Sequence, residues 1–399
     1  MSGMTNKELV QKAINTTDQL AAAGKLNPKQ SDRFIDLVID VTGLQGNVRV
    51  ERFRNEQLDI DKMNVGKRVA MPKAEASAPA HRRRVKTSKI SLNPKNVVVP
   101  FEISSDFMLV NIEGDAVEDT VIRMMATQFA NDLEELYING DALGVAALES
   151  DLIDGGSSTQ YIKDSYLALF DGWLRLAGQA HVVDAQGANI SSNVYSKMIK
   201  AMPDKWKRVR RNMRFMVSTD HEQNYRNTVS SRATAAGDSA LNSTQNLTPF
   251  GVEQVPLPLL PTQPTVVKHV TLASTTKVQL GGFIQISDVV VSKETLGENP
   301  EAAYIETTDY VVDYTTGEIN RTGGGAIGDG DVVKVTFKTL GQTIFTEMRN
   351  LILGIGREIT IKRDEDIYAD VAQYAIHAKV AVQIEEADAA VLGINLGLD

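Results

Sequence analysis

The sequence predicts an α+β fold with a separate all-β module inserted into it, and three stretches carry that prediction. Residues Gly66 to Ile103 read as a basic extended segment followed by an alternating return strand. Residues Glu113 to Tyr137 read as one long amphipathic helix. Between Thr262 and Phe345 the chain turns rich in Val, Thr, Gly and Tyr, arranged in short alternating runs.

The elements follow in order. Leu9, Val10, Ala13, Ile14 and Leu20 fall at helical spacing, so Asn6 to Ala23 is expected to be a helix that stops at Gly24. A second helix is expected from Asn27 through Phe34, Leu37 and Val38 to about Gly43. Residues 1–65 together read as an N-terminal arm, with extended segments from Val48 onward. The small residues from Ala74 to Ala80 read as the tip of a long loop, and Ile90, Leu92 and Val97 to Val99 mark the strand returning from it.

In the long helix, Val117, Val121, Met125, Phe129, Leu133 and Leu136 form an apolar stripe. The helix would span about 38 Å. Glu113, Asp115, Glu118 and Asp119 crowd its first turns, where the helix dipole favours negative charge. Gly140 is the expected stop.

Helices are expected at Tyr161 to Trp173, Ser191 to Trp206 and Asp220 to Ala236, with a buried strand at Arg214 to Ser218. Val252 to Val255 is a short strand that leaves through the Pro-rich run Pro256 to Pro261. Inside the β-rich stretch, strands are expected at Val266 to Leu272, Val289 to Val291, Tyr310 to Asp313 and Val332 to Lys338. The main domain then resumes with strands at Leu351 to Gly354 and Glu358 to Ile361. A long strand from Ile376 to Ile384 follows, and Ala389 to Gly393 finishes the sheet.

Composition narrows the chemistry. The chain has 399 residues, 42% of them apolar, which is enough for two or three structural units. A formal charge of −9 argues against a general nucleic-acid binder. The absence of cysteine excludes disulfides, thiolate catalysis and cysteine-ligated metal. Met1 to Lys7 carries no signal-peptide core, and no window is apolar enough to predict a membrane span.

No motif points to an enzyme. His81, His181, His221, His269 and His377 are scattered, with no metal-binding spacing, and no cofactor is expected. The glycine-rich run Gly323 to Asp331 lacks the Lys-Ser/Thr ending of a phosphate loop and reads as a hairpin connection. Calcium at Asp329 and Asp331 is disfavoured by the missing ligand series.

Two basic clusters remain. Arg82, Arg83, Arg84 and Lys86 lie in the extended segment, and pairing with a neighbouring subunit's Glu113, Asp115, Glu118 and Asp119 is the favoured reading. Lys207, Arg208, Arg210 and Arg211, together with Lys205, interleave with Trp206 and Val209. For them, DNA contact and a merely solvated or paired basic face both stay open.

The order of these parts resembles the tailed-bacteriophage major capsid proteins of the Hong Kong 97 (HK97-like) fold. Asp132 to Asp141 is similar to the end of that family's spine helix, and Phe250 to Pro256 to its strand into the axial domain. The resemblance covers nearly the whole chain except Thr262 to Phe345. It implies an arm at 1–65, an extended loop at 66–100 and a peripheral domain at 101–240 with the spine helix at 113–137. It further implies an axial domain at 241–261 and 346–361, the inserted β domain at 262–345 on the outer face, and a return to the peripheral domain at 362–399.

The implied function is a structural one. Copies of the chain would form the hexamers and pentamers of an icosahedral virion shell around double-stranded DNA, assembled in the host cytoplasm. A separate scaffolding protein, a portal and a decoration protein are the implied partners, with no membrane. Some family members crosslink through a lysine and an asparagine, but no motif here assigns such a pair. An encapsulin-like compartment shell and a nucleic-acid-binding protein are the alternatives; a secreted adhesin or hydrolase is disfavoured by the missing signal peptide. A long hairpin cannot bury both faces on its own subunit, which is the physical case for assembly.

Overall fold

The structure is a computed structural model that describes residues 14–15, 48–52, 57–64, 86–104, 106–107, 117–153, 155–159, 161–208, 210–231, 245–293, 303–366 and 369–398. In chain order the strands are β1 (Ile14–Asn15), β2 (Arg49–Arg52), β3 (Leu58–Asn64), β4 (Lys86–Leu92), β5 (Lys95–Ser104), β6 (Ala146–Leu148), β7 (Tyr161–Lys163), β8 (Val182–Asp184), β9 (Met213–Ser218) and β10 (Glu253–Leu257). They continue as β11 (Thr265–Leu272), β12 (Val278–Gln279), β13 (Ser287–Lys293), β14 (Tyr310–Asp313), β15 (Glu318–Arg321), β16 (Asp331–Lys338), β17 (Gly341–Glu347), β18 (Leu351–Asp366), β19 (Val371–Ile384) and β20 (Val391–Leu396). The helices are α1 (Val117–Asn139), α2 (Glu149–Leu152), α3 (Trp173–Ala177), α4 (Ser192–Ala201), α5 (Asp204–Lys207) and α6 (Thr219–Ser230).

Two five-stranded sheets organise the body. The first has the order β1-β5-β19-β18-β2 and the second β10-β9-β17-β20-β8. The β-rich segment adds two three-stranded sheets, β11-β16-β13 and β12-β15-β14. The long hairpin β18/β19 dominates the first sheet. Two strands are expected at Leu351 to Gly354 and Glu358 to Ile361, but the chain runs through as one strand with register shifts near Ile355, Arg357 and Thr360. At about 3.4 Å per residue, β18 is on the order of 50 Å long.

Helix α1 spans about 35 Å and buries Phe129, Leu133, Leu136, Tyr137 and Ile138. These side chains share one continuous core with Trp173 of α3, Tyr374 and Ile376 of β19, and Val266, Val335 and Phe337 of the β-rich segment. The inserted module is therefore fused to the body through its core. A second core centres on Tyr195, Phe215 and Phe345, whose rings lie 4.4 and 4.6 Å apart in sequence along the stack. Tyr195 also receives a hydrogen bond from the buried Gln254 side chain.

Several expectations are corrected. Residues 161–173 form β7, a short turn at Leu167–Leu169 and the start of α3, and do not form one helix. Asp164 is the cause: its carboxylate accepts from the Tyr166 and Leu167 amides and fixes a turn there. The Gly323–Asp331 run does not close a hairpin. It crosses from β15 in one small sheet to β16 in the other.

The domain boundaries also move. β17 begins at Gly341 and pairs with β9 and β20, so the β-rich module ends near Leu340, short of Phe345. Residues 351–361 pair with β19 and do not join the sheet of β10. Conversely, β20 leaves the first sheet and joins β17 and β8 in the second. Residues 14–15 pair in parallel with β5, which interrupts the first expected helix; the rest of that helix and the second one lie outside the described residues.

Gly140 ends α1 for a different reason from the one expected. Its own amide still bonds the Leu136 carbonyl at 3.0 Å, so the helix has not yet turned away. A Cβ on Gly140 would stand 2.5 Å from the Phe170 carbonyl oxygen, and one on Gly172 would stand 2.6 Å from that of Ile138. Two backbones meet here, joined by the Gly172 amide donating to Gly140 O at 2.7 Å, and only glycine permits that approach.

Candidate assembly surfaces

The hairpin β3/β4 has two unlike faces because side chains alternate across a strand. On one face Leu58, Ile60 and Leu92 pack against Ile352 of β18 and Ala381 of β19. Lys62 extends this seat, with its ammonium 3.0 Å from Glu386 Oε1 and donating to the Glu385 carbonyl at 2.6 Å. Arg49 of β2 reaches Glu385 at 3.1 Å. The opposite face is polar and open. Asp59 accepts from Lys89 at 2.5 Å, Ser91 at 2.7 Å and Gln57 at 2.8 Å, which together pull its pKa down to about 2. At the outer end of this face Met63 is 77% exposed.

The base of the hairpin is thus fixed to its own subunit and its other face is left to solvent. Arg82, Arg83 and Arg84 lie outside the described residues, and so do Glu113 and Asp115. Lys86 opens β4, and Glu118 and Asp119 lie in the first turn of α1; their side chains are outside the described ones.

A second open edge lies on β18. β2 pairs only with Ile352 to Ile355, so from Arg357 to Asp366 the described strands cover just one side of β18. This edge carries Lys362, Arg363, Asp364, Glu365 and Asp366, charges that discourage indiscriminate strand pairing.

The last turns of α1 concentrate acid. Burial raises the pKa of Asp132, Glu134 and Glu135, and Glu134 is only 4% exposed. Beyond the helix end a cleft of about 310 Å³ separates α3 from the β-rich module, lined by Asn139, Asp141, Arg175, Lys268 and Gln342. Burial raises the Asp141 pKa, against the pull of Arg175 at 3.6 Å. Burial lowers the Lys268 pKa, and the neighbouring Arg175 lowers it further.

One clamp was not visible in the sequence reading. Asn395 of β20 is fully buried with φ 57°, a conformation asparagine tolerates better than most residues. Its side-chain amide donates to Asp184 Oδ1 at 2.8 Å and to the Gly282 carbonyl at 2.9 Å, and its oxygen accepts from the Ile284 amide at 3.2 Å. One side chain therefore ties the second sheet to the β-rich module. A lone polar residue in the apolar run Val391 to Leu396 was the available signal.

The four residues of the second basic cluster lie at one end of the second sheet. Lys207 closes α5 with its ammonium 2.8 Å from Asp204, Arg208 follows it, and Arg210 and Arg211 form the turn leading into β9. Trp206 packs partly on the second core, with Lys205 4.5 Å above its ring.

Other candidate chemistry is sealed or dispersed. Ser218 Oγ lies 2.6 Å from His221 Nδ1 and caps α6 by accepting from the His221 amide. Both residues are buried, and the neighbouring Asp220 carboxylate accepts from the Thr262 hydroxyl. Among the described residues no group of His, Asp and Glu could hold a metal ion. Asp329 is taken up by the Ser274 amide and Arg321, and Asp331 by the Gly328 amide. No described helix is long and apolar enough to cross a membrane.

No protein-family model matches the chain. It is 27% identical over 394 residues, 97% of both proteins, to YqbE of Bacillus subtilis (strain 168), a proposed prophage capsid protein. Its fold matches the capsid of a native GTA particle with a TM-score of 0.53 at 12% identity, covering 96% of this chain and 100% of the other. It matches the capsid of the Myoviridae phage XM1 with a TM-score of 0.51 at 10% identity, covering 96% and 99%. A procapsid of satellite phage P4 that includes the size-determination protein Sid gives 0.50 at 8% identity, covering 96% of each chain. The chain therefore has the capsid fold of the Hong Kong 97 type, and its sequence is similar over nearly its whole length to a proposed prophage capsid protein.

Proposed function

We propose that the chain is the major capsid protein of a phage or prophage, a structural subunit that self-assembles into an icosahedral head shell around double-stranded DNA. The observation that carries this reading is the coverage: the similarity to YqbE and to the capsid folds extends over nearly the whole chain. The hairpin supports it physically, because β3/β4 seats one face on its own subunit and leaves the other unburied. Many modest contacts repeated with closed symmetry can hold a shell without one strong interface.

In this reading the copies form hexamers and pentamers, and α1 with the β5-β19-β18 sheet is the peripheral body. The β9-β17-β20 sheet is the axial part. Arg82, Arg83, Arg84 and Lys86 at the hairpin meet the acidic start of a neighbour's α1, Glu113, Asp115, Glu118 and Asp119. A scaffolding protein templates the shell in the host cytoplasm, a portal occupies one vertex, and the β-rich module faces outward, where a decoration protein could sit.

Negative-stain microscopy of the full-length protein, alone and co-expressed with its scaffold, tests the proposal. Closed shells of uniform size are expected. A protein that stays monomeric under every assembly condition would contradict it.

A further inference from the structure

The charge of this protein is distributed unevenly. Between Lys197 and Arg214 stand eight basic side chains and one carboxylate, a formal +7 within a chain of −9. They follow one another on consecutive elements, and the Lys207 ammonium donates back to the Lys200 carbonyl at 3.3 Å. Lys197 and Lys200 lie on α4, Lys205 and Lys207 on α5, and Arg208, Arg210 and Arg211 on the turn into β9.

Little of this charge is neutralised internally. Lys207 pairs with Asp204 and Arg214 with Glu253 at 2.9 Å. Among the described residues Lys197, Lys200, Arg208, Arg210 and Arg211 have no carboxylate within ion-pair distance. The adjoining cleft of about 620 Å³ is balanced: it sets Arg214 and Arg349 against Glu253 and Glu347. The excess therefore lies on the ledge beside the cleft and not inside it. Trp206 is rooted in the second core, which keeps the ledge from being a floppy basic tail.

We infer that this ledge binds the phosphate backbone of nucleic acid without reading its sequence. A fixed array of uncompensated Lys and Arg gains free energy by releasing the counterions condensed on a phosphate chain. Base readout would need side chains presented on an element that enters a groove, whereas this surface is the end of a sheet with two short helical pieces. The inference stands on charge and geometry and does not depend on the shell reading. An acidic face of a neighbouring subunit is the rival occupant, and the test separates the two.

The full-length protein is titrated with labelled DNA duplexes of two unrelated sequences by fluorescence anisotropy at several salt concentrations, with shell assembly scored in parallel. If Lys207, Arg208, Arg210 and Arg211 each neutralise one phosphate, the log–log salt slope is about −3.6, so affinity falls roughly 150-fold between about 50 and 200 mM salt. The two sequences should bind alike. The variant Lys207→Gln, Arg208→Gln, Arg210→Gln, Arg211→Gln should lose that slope while still assembling.

A second variant, Arg208→Lys, Arg210→Lys, Arg211→Lys, keeps the charge and should keep the slope, which separates charge loss from misfolding. Absence of DNA binding by the unaltered protein at low salt would overturn the inference. So would a neutralised variant that binds DNA unchanged, or one that loses assembly with unchanged DNA affinity; the last result would assign the ledge to a joint between subunits.

Discussion

Replacing Asn395 with Ala should loosen the β-rich module from the second sheet. Three hydrogen bonds vanish, to Asp184, to Gly282 O and from the Ile284 amide. A net value of about 0.5–1.5 kcal/mol for each neutral bond, and about 1.5–3 kcal/mol for the one to the Asp184 carboxylate, gives a loss of roughly 2.5–6 kcal/mol. The Asp184, Gly282 and Ile284 groups keep some access to water once Asn395 is gone, so the lower half of that range is expected. Alanine at φ 57° adds about 1 kcal/mol of backbone strain. The total is then about 3.5–5 kcal/mol, centred on one seam. Hydrogen exchange read by mass spectrometry is the direct assay. Peptides containing Gly282–Ile284 and Asp184 should lose protection, while the α1 and β19 peptides should not. A Gly variant separates strain from bonding: it relieves the φ penalty but leaves the bonds missing, so it should recover only about 1 kcal/mol. Unchanged exchange at Ile284 together with unchanged stability in Asn395→Ala would refute the clamp.

Gly140→Ala places a methyl 2.5 Å from the Phe170 carbonyl, where backbone must shift, and should cost about 1–3 kcal/mol or more in urea unfolding. Glu134→Gln should raise the melting temperature of the subunit at pH 7.5. The carboxyl pKa is raised by burial, so the folded state holds its proton to higher pH than the unfolded one. The stability tied to that proton is complete below the unfolded pKa of about 4.5 and is lost as pH rises through the folded value. The Gln variant should therefore gain over the parent at neutral pH and match it near pH 4; an equal gain at both pH values would assign the effect to something other than ionisation.

The element types were largely legible because periodicity reports which face is buried. The stripe through Phe129, Leu133 and Leu136 located α1, and alternation located β11, β14 and β16. Strand partners were not legible. β17 and β18 are both apolar runs separated by a turn at Met348–Asn350, yet the chain changes sheets at that turn. Pairing is settled by contacts far apart in sequence, which a local pattern does not encode. Residues 161–173 were misread because the turn set by Asp164 outweighed an apolar spacing that also suits a helix.

The candidate surfaces were legible as charge and not as geometry. The run from Lys205 to Arg211 was visible, but its union with Lys197 and Lys200 depends on how α4 is followed by α5. That Leu58, Ile60 and Leu92 would find Ile352 and Ala381, far along the chain, could not be read from the hairpin itself.

The hairpin β3/β4 is fixed to its own subunit at the base, and we propose that it reaches a neighbour beyond it. The decisive experiment deletes residues 74–86 from the otherwise full-length chain and follows the product by negative-stain microscopy and sedimentation. A folded, soluble subunit that forms no closed shells is expected. Normal shells from the deleted protein would contradict it.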